Sequence, residues 1–342
     1  MNNVYNAASN QLDVDYSERI CERAKLNTGT HCNYRCEFCY YKTQLNDITE
    51  FDVIKQRIDY LYDCGIKEVD LSGGESSIHK RWFDILDYCT SKGLRISTLS
   101  NGYKFADYEF LKKSQEHGLK EILFSLHGYD RESHNALVGN RHGYDKILQA
   151  IDNAHKLGVI VRINCTVTHR NYKSLPTQFV ELIKTVKPLE VNFLTLNYWS
   201  DASKQRCIDY GEVTPYIHQA IDFMVPLVPI INVRYTPYCF MKGYEQYVCN
   251  YYQHIYDVYD WNIAVYDQAI PADEYRADPL KALYDAAKRN RNHTYYKTKD
   301  CVDCKHYFIC DGIEKNMTDV AVRPESGEKI KQVNFYRRGW YK

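Results

Sequence analysis

Between residues 24 and 230, short β-branched runs alternate with longer amphipathic stretches, and this rhythm restricts the fold more than any other feature of the chain. The runs that read as strands are Ala24 to Thr28, Glu68 to Ser72, Arg95 to Ser100, Glu121 to Leu126, Ile160 to Val167 and Glu190 to Leu196. Between them lie Phe51 to Cys64, Trp82 to Ser91, Tyr108 to His117, Tyr144 to Leu157 and Pro176 to Thr185. Their apolar residues fall three and four apart, as Val53, Ile54, Ile58 and Leu61 do in the first, the spacing of a helix with one buried stripe. A strand, a helix and a second strand require a right-handed crossover and give parallel pairing. Six such units predict an α/β fold, as an open doubly wound sheet or a partial (β/α)6 TIM-like barrel; both put ligand-binding groups at the carboxyl ends of the strands.

The sequence at those ends is consistent with that rule. Strand one runs into Gly29-Thr30-His31, strand two into Gly73-Gly74-Glu75, strand three into Ser100-Asn101-Gly102 and strand four into Ser125-Leu126-His127-Gly128. Strand five ends near Asn164 and Thr168, strand six at Thr195 and Asn197. Polar residues and glycines therefore collect where a single ligand would touch several strands at once.

The cysteines sharpen this. The N-terminal MNNVYNAASNQLDVDYSERI has neither the apolar core of a signal peptide nor an Arg-rich amphipathic pattern, and no window of about 18 apolar residues occurs. A cytoplasmic protein with no membrane partner is expected, and its 13 cysteines then point to metal or catalysis rather than disulfides. Cys21, Cys64, Cys89, Cys165 and Cys207 stand alone and read as small buried hydrophobes. The segment His31-Cys32-Asn33-Tyr34-Arg35-Cys36-Glu37-Phe38-Cys39-Tyr40 instead puts three thiols in the loop after strand one. A structural zinc site takes four ligands and closes the metal off. Three thiolates spaced x3 and x2 suit three corners of a cuboidal iron-sulfur cluster, leaving one iron open to bind something reactive.

CNYRCEFC resembles the CxxxCxxC signature of the radical S-adenosylmethionine (SAM) superfamily, in which an aromatic residue such as Phe38 before the third cysteine is also typical. The resemblance implies a 4Fe-4S cluster on Cys32, Cys36 and Cys39, chelated by the amine and carboxylate of SAM. It further implies reductive cleavage of SAM to a 5'-deoxyadenosyl radical, fed by a low-potential reductant such as flavodoxin or ferredoxin. It places Gly73, Gly74 and Glu75 near the methionyl amine, with Glu75 adding a counter-charge, Phe38 and Tyr40 beside the cofactor, and Asn101, Ser125, Asn164 and Thr195 among its polar contacts. Glycines suit such a role because a backbone without side chains approaches a ligand closely. His127 replaces the Asp common in the corresponding SLDG variant and carries no assignment.

After residue 230 the rhythm changes. A tyrosine-rich stretch, Tyr235 to Tyr266, precedes a charged helical stretch, Asp278 to Arg291, and then Cys301-Val302-Asp303-Cys304-Lys305-His306-Tyr307-Phe308-Ile309-Cys310. The chain is thus divided into an N-terminal extension (1–23), a core (24–230) and a C-terminal extension (231–342) with its own metal site. Cys301, Cys304 and Cys310 resemble the CxxCxxxxxC segment of SPASM and twitch auxiliary-cluster domains. Glu314 stands where the full SPASM pattern has its next cysteine, so one auxiliary 4Fe-4S cluster is expected rather than two. Its fourth ligand is expected to be Cys239, in the loop after Pro237, in preference to Cys249, which lies in a tyrosine stripe of helical spacing. Cys249 is left as a packing residue or a substrate-facing thiol, such as a hydrogen-atom donor. The rival for the extension is zinc on four of these five sulfurs, with or without His306.

Lys plus Arg and Asp plus Glu both number 44, so no net field draws the chain to nucleic acid or an anionic membrane. The basic-aromatic tail Tyr336 to Lys342 reads as a solvated end. Three function classes follow: a radical SAM enzyme abstracting hydrogen from a substrate, a two-cluster electron-transfer protein, and a zinc-binding module. For the enzyme, a small-molecule or nucleotide-like substrate is preferred to a ribosomally made peptide undergoing epimerisation or cross-linking. About 30 residues before the cluster loop leave little room for a separate leader-recognition domain. The tyrosines of the extension are available to wall a pocket, although tyrosine is abundant throughout.

Overall fold

The computed structural model describes residues 4–7, 12–15, 18–41, 46–196, 208–260, 271–317 and 319–340. Asn197, Cys207, Tyr266, Tyr341 and Lys342 lie outside them.

An antiparallel hairpin, β1 (Val4–Ala7) with β2 (Leu12–Asp15), opens the chain. The core strands follow as β3 (Arg23–Asn27), β4 (Glu68–Ser72), β5 (Arg95–Ser100), β6 (Leu119–Ser125), β7 (Ile160–Val167), β8 (Glu190–Thr195) and β9 (Ile230–Arg234). They pair in chain order, every pair parallel, as a curled half-barrel of seven strands. The expected partial barrel is present. Its seventh strand, Ile230–Arg234, falls where the sequence reading had ended the core.

The crossovers are α1 (Phe51–Asp63), α2 (Trp82–Ser91), α3 (Tyr108–Glu116), α4 (Arg131–Val138), α5 (Gly143–Leu157), α6 (Val180–Val186) and α7 (Tyr210–Met224). Local chemistry sets several of their ends. The carboxylate of Asp107 caps α3 by accepting from the amides of Glu109 and Phe110, and Asp130 with Ser133 forms a capping box on α4. Gly139 and Gly158, at φ +63° and +68°, end α4 and α5 in the left-handed conformation. The helices cover one face of the sheet, where Leu71, Ile96, Ile122, Phe124, Ile163, Val191, Phe193 and Val233 join the main apolar core. Cys21, Cys64, Cys89 and Cys165 are all buried, as expected of solitary cysteines.

The other face, lining the lumen, is charged. Arg23 pairs with Glu68 at 2.6 Å and Glu121 at 2.6 Å; Arg162 pairs with Glu121 and, at 2.5 Å, with Glu190. Burial pushes the Glu121 carboxyl up, but the guanidinium groups of Arg162 and Arg23 outweigh it and hold the group at about 2. Asp70 has no hydrogen-bonding group on either oxygen, only Arg23 Nη1 at 3.5 Å, and burial pushes it up to about 7.

The gap between the edge strands is filled by the start of the extension. Cys21 N donates to the Ile255 carbonyl at 2.8 Å and Arg23 Nη1 to the Tyr259 carbonyl at 2.9 Å. From the other edge, Asn232 Nδ2 reaches Asp257 Oδ2 at 3.0 Å, and Arg234 pairs with Asp257 and Asp260 at 2.8 and 2.5 Å. Residues 255–260 thus bridge β3 and β9 across the lumen.

Beyond them lie α8 (Ala272–Ala277), α9 (Pro279–Thr294) and a hairpin of β10 (Tyr295–Tyr296) with β11 (Ile313–Glu314). The stretch around Cys249 is not the helix its tyrosine spacing predicts. Gly243 at φ +82° turns the chain, and Val248 bridges to Val233 with Cys249 N donating to the Val233 carbonyl at 2.9 Å, so strand edge wins over helix. Tyr252 and Tyr256 are buried in the core and pack there, whereas Tyr238, equally buried, also lines a cavity of the extension beside Cys239.

The tail also departs from the expected solvated end. Arg337 is buried, the Tyr336 hydroxyl is 2.7 Å from His306 Nε2, and the Trp340 ring packs edge-on against Tyr247. Its aromatic residues find apolar partners in the extension, which stabilises more than exposure would.

Candidate functional site

The loop carrying the first three cysteines is fixed at both ends. The amides of Thr30 and His31 donate to the Asp47 carbonyl, and those of Arg35 and Glu37 to Val138 and Leu137 at the end of α4. Gly139 is required there, because a Cβ would meet the Arg35 carbonyl at 2.6 Å. Cys32, Cys36 and Cys39 are each half-buried. Burial, with the neighbouring thiols adding to it, pushes Cys36 up, and burial pushes Cys32 up to about 11. A buried thiol group that resists ionisation alone is stabilised as thiolate by a bound cation. Among the described residues no three His, Cys, Asp or Glu side chains converge on one ion's position. Three thiols spread round a loop fit a multi-iron group better than the single zinc ion weighed above.

The strand ends meet this loop. The amides of Gly74 and Glu75 donate to the carbonyls of Gly29 and His31 at 3.0 and 2.9 Å, and a Cβ on Gly74 would overlap the Thr30 and His31 carbonyls. The two glycines are therefore needed for the loop to lie against strand two. Glu75 is 1% exposed, and its carboxylate accepts from Ser77 Oγ at 2.5 Å, Ser100 Oγ at 2.9 Å and the Asn101 amide at 2.7 Å. The carboxylate thereby ties its own loop to the end of strand three. Asn101 Nδ2 lies 2.8 Å from Asn33 Oδ1 and 4.0 Å from Cys32 Sγ.

Phe38 packs edge-on against His127 at 4.7 Å between ring centres. His127 Nδ1 accepts the Thr166 amide at 3.0 Å and its carbonyl accepts Asn171 Nδ2, so this residue locks strand ends four and five together. Burial keeps it neutral, well below the usual histidine range. Tyr40 is exposed, and its hydroxyl is 3.2 Å from Lys25 Nζ, a lumen-side group of β3.

Ser125 and Asn164 are paired across β6 and β7, and the same register continues to Asn192 on β8 and Asn232 on β9. The sequence reading took the first two and missed the second two, which sit at the same alternation phase inside EVNFLT and IINVR. Asn232 Nδ2 donates to Asn192 Oδ1 at 2.9 Å, while Asn192 Nδ2 is buried with no partner among the described residues. The Tyr34 hydroxyl and Asn33 Nδ2 are likewise buried without partners. Unpaired buried donors are costly in a folded chain, so these fit a ligand with acceptor atoms in the barrel mouth. Thr195 is different: its hydroxyl is 3.0 Å from the Arg234 carbonyl and 3.2 Å from Thr236 Oγ1, and so serves strand pairing.

The C-terminal thiols form a second group. Cys239, Cys301, Cys304 and Cys310 line one cavity with Lys297, His306, Tyr307 and Gly312. Burial pushes the Cys239 thiol up to about 12, with Cys310, Cys301 and Cys304 adding to it. Burial lowers the Lys297 ammonium to about 8, against the pull of Cys310, Asp311 and Cys301. Cys249 is not part of this set. It is 1% exposed, beside Asp257, whose Oδ2 is 3.4 Å from its sulfur. Four thiols round one cavity fit a fully thiolate-held cluster.

Residues 26–177 match the Radical SAM superfamily. The chain is 30% identical over 233 residues to Fe-coproporphyrin III synthase of Methanosarcina barkeri, covering 63% of this chain and 57% of that one. It is 24% identical over 215 residues to the antilisterial bacteriocin subtilosin biosynthesis protein AlbA of Bacillus subtilis, at 59% and 47% coverage. It is 28% identical over 182 residues to GTP 3',8-cyclase of Vibrio parahaemolyticus, at 50% and 53%. The chain spans about half the length of the curated relatives it matches. Streptococcus suis SuiB bound to S-adenosylmethionine superposes with a TM-score of 0.53 at 14% identity, covering 66% of this chain and 52% of that one. Native anSMEcpe with bound AdoMet and a Cp18Cys peptide gives 0.57 at 15%, covering 93% and 94%, so the likeness in fold extends through the C-terminal extension.

Proposed function

We propose that this chain is a radical SAM enzyme with a SPASM-like C-terminal extension, one that cleaves SAM reductively and abstracts hydrogen from a small polar substrate. Cys32, Cys36 and Cys39 would hold a 4Fe-4S cluster, which would supply the one-electron reduction that cleaves SAM at its C5'–S bond. The protein's own residues bind, orient and shield. Asn101, Ser125 and Asn164 offer hydrogen bonds to SAM from three successive strand ends, and Phe38, packed on His127, walls the cofactor side of the loop. Gly73, Gly74 and Glu75 hold the cluster loop at the distance this binding requires.

One observation carries the reading. The loop that carries the three thiols also carries two buried donors that have no hydrogen-bond partner among the described residues, the Tyr34 hydroxyl and Asn33 Nδ2. A substrate that is small and rich in acceptor atoms, nucleotide-like among them, is supported by the buried polar groups of the lumen, Asn192 paired with Asn164 on the neighbouring strand and Lys25 on β3. A second cluster at Cys239, Cys301, Cys304 and Cys310 belongs to the same reading. So do a low-potential electron donor such as flavodoxin or ferredoxin and a cytoplasmic setting, since iron-bound thiolates persist in a reducing compartment. No described helix is long and apolar enough to cross a membrane.

The test is anaerobic reconstitution with iron and sulfide, followed by measurement of 5'-deoxyadenosine under a strong reductant. Wild type is expected to cleave SAM, Cys36→Ala to lose cleavage, and Cys304→Ala to keep most uncoupled cleavage. Absence of cleavage by iron-loaded wild type overturns the enzyme. Equal loss in both variants overturns the separate role of the extension.

A further inference from the structure

The cavity lined by Cys239, Cys301, Cys304 and Cys310 contains a single cationic side chain among its described lining residues, Lys297. Its Nζ donates to the Tyr307 carbonyl and lies 4.3 Å from the Tyr307 ring centre, so the ammonium is held at the wall and does not wander into solvent. The backbone is shaped to admit it. Gly312 has φ +100°, and a Cβ there would overlap the Tyr296 carbonyl and stand 3.2 Å from Lys297 Cγ, so only glycine lets β10 run this close. His306, the other nitrogen base at the cavity, has its Nε2 2.7 Å from the Tyr336 hydroxyl.

Four thiolates on a four-iron cluster leave no iron open, in contrast to the trio in the barrel loop. Such a group carries net negative charge in a buried place and becomes one charge more negative when it takes up an electron. A fixed cation nearby favours the reduced form over the oxidised one, because Coulomb attraction grows with the charge it acts on and is strong in low dielectric.

We infer that Lys297 is a positioning residue that sets the reduction potential of a coordinatively closed auxiliary cluster held by Cys239, Cys301, Cys304 and Cys310. This rests on the reading that those thiols hold a cluster. The closed ligand set gives substrate no iron to bind, so the group exchanges electrons with its surroundings and Lys297 raises the potential at which it does so. Arg291, whose charge also acts on Lys297, lies outside the lining and adds a weaker field of the same sign.

The experiment is an EPR-monitored redox titration of the reconstituted full chain, comparing wild type with Lys297→Met and Lys297→Arg after iron analysis. About eight irons per chain establish two clusters, whereas about four sink the cluster reading itself. With iron intact, Lys297→Met is expected to shift the auxiliary midpoint to lower potential, Lys297→Arg to restore it, and the couple of the Cys32, Cys36, Cys39 cluster to stay in place. An unmoved auxiliary midpoint in the iron-replete Met variant overturns the inference. Should the Met variant load poorly, Lys297→Gln, which keeps a donor for the Tyr307 carbonyl while removing the charge, is read by the same two outcomes.

Discussion

Arg337 reaches back from the end of the chain and sets Nη2 2.8 Å from Oδ1 of Asn232, inside the barrel. Asn232 in turn donates to Glu190 Oε1 at 2.6 Å and to Asn192 Oδ1 at 2.9 Å, so the tail supports the buried polar row of the lumen. Removing one partner from a buried, charge-assisted contact leaves the other unsatisfied, which costs about 2–4 kcal/mol. Arg337→Leu is expected to lower unfolding stability by that amount in urea titrations. A change within about 0.5 kcal/mol, the usual size for a surface substitution, would return the tail to the solvated role first expected of it.

Cys239 and Cys249 give opposite expectations for metal content. Cys239 shares a cavity with Cys301, Cys304 and Cys310, whereas Cys249 is packed beside Asp257 at the strand edge. Cys239→Ala is expected to lose roughly half of the reconstituted iron or leave a labile cluster, and Cys249→Ala to keep all of it. Iron and sulfide assays after desalting decide the matter; iron loss in Cys249→Ala alone would exchange the two roles.

The barrel was largely legible because its signal is local. Apolar periodicity over ten to fifteen residues identified β4, β5 and β7 and most of their crossovers, and glycine with polar residues marked the functional ends. β9 escaped because IINVR follows α7 with little between them and looked like the end of the core. The charged lumen was invisible for a different reason. Arg23, Glu121, Arg162 and Glu190 pair across strands distant in sequence, and each alone reads as a solvated charge. The role of Glu75 was hidden likewise, since its partners Ser100 and Asn101 arrive from the next strand end. Pro237 marks the break in regular pairing ahead of Cys239, and the structure puts that thiol on the cavity shared with Cys301, Cys304 and Cys310 while Cys249 packs beside Asp257.

His134 gives a pH dependence whose sign follows from its burial. Burial lowers it to about 4, against roughly 6.5 in an unfolded chain, so the native state binds fewer protons than the unfolded one between those values. Its contribution is present above about pH 6.5 and is lost as the pH falls toward 4. Asp70 and Glu190, both raised to about 7, act in the opposite direction over the same range, so wild-type stability alone is ambiguous. The difference between wild type and His134→Gln isolates the histidine. Urea midpoints at pH 7, 5.5 and 4.5 are expected to show wild type losing stability relative to the variant on acidification, and parallel curves would show that His134 is protonated at no cost.

Glu75 separates a structural from a ligand-binding carboxylate. As a direct counter-charge to the methionyl amine, it would lose SAM affinity on conversion to Gln, with stability nearly unchanged. Its contacts argue otherwise: Ser77, Ser100 and Asn101 all donate to it, and the amide nitrogen of Gln would bring a donor against donors. Glu75→Gln is therefore expected to lower stability by about 2–4 kcal/mol and to weaken iron loading at the Cys32 loop, because that loop hangs from the His31 carbonyl that the Glu75 amide holds. SAM affinity per loaded cluster, measured by equilibrium dialysis, is expected to change less than about threefold, well under the tenfold that corresponds to 1.4 kcal/mol of lost binding. A stable, fully loaded variant with a large loss of SAM affinity would restore the counter-charge role and place the carboxylate on the ligand.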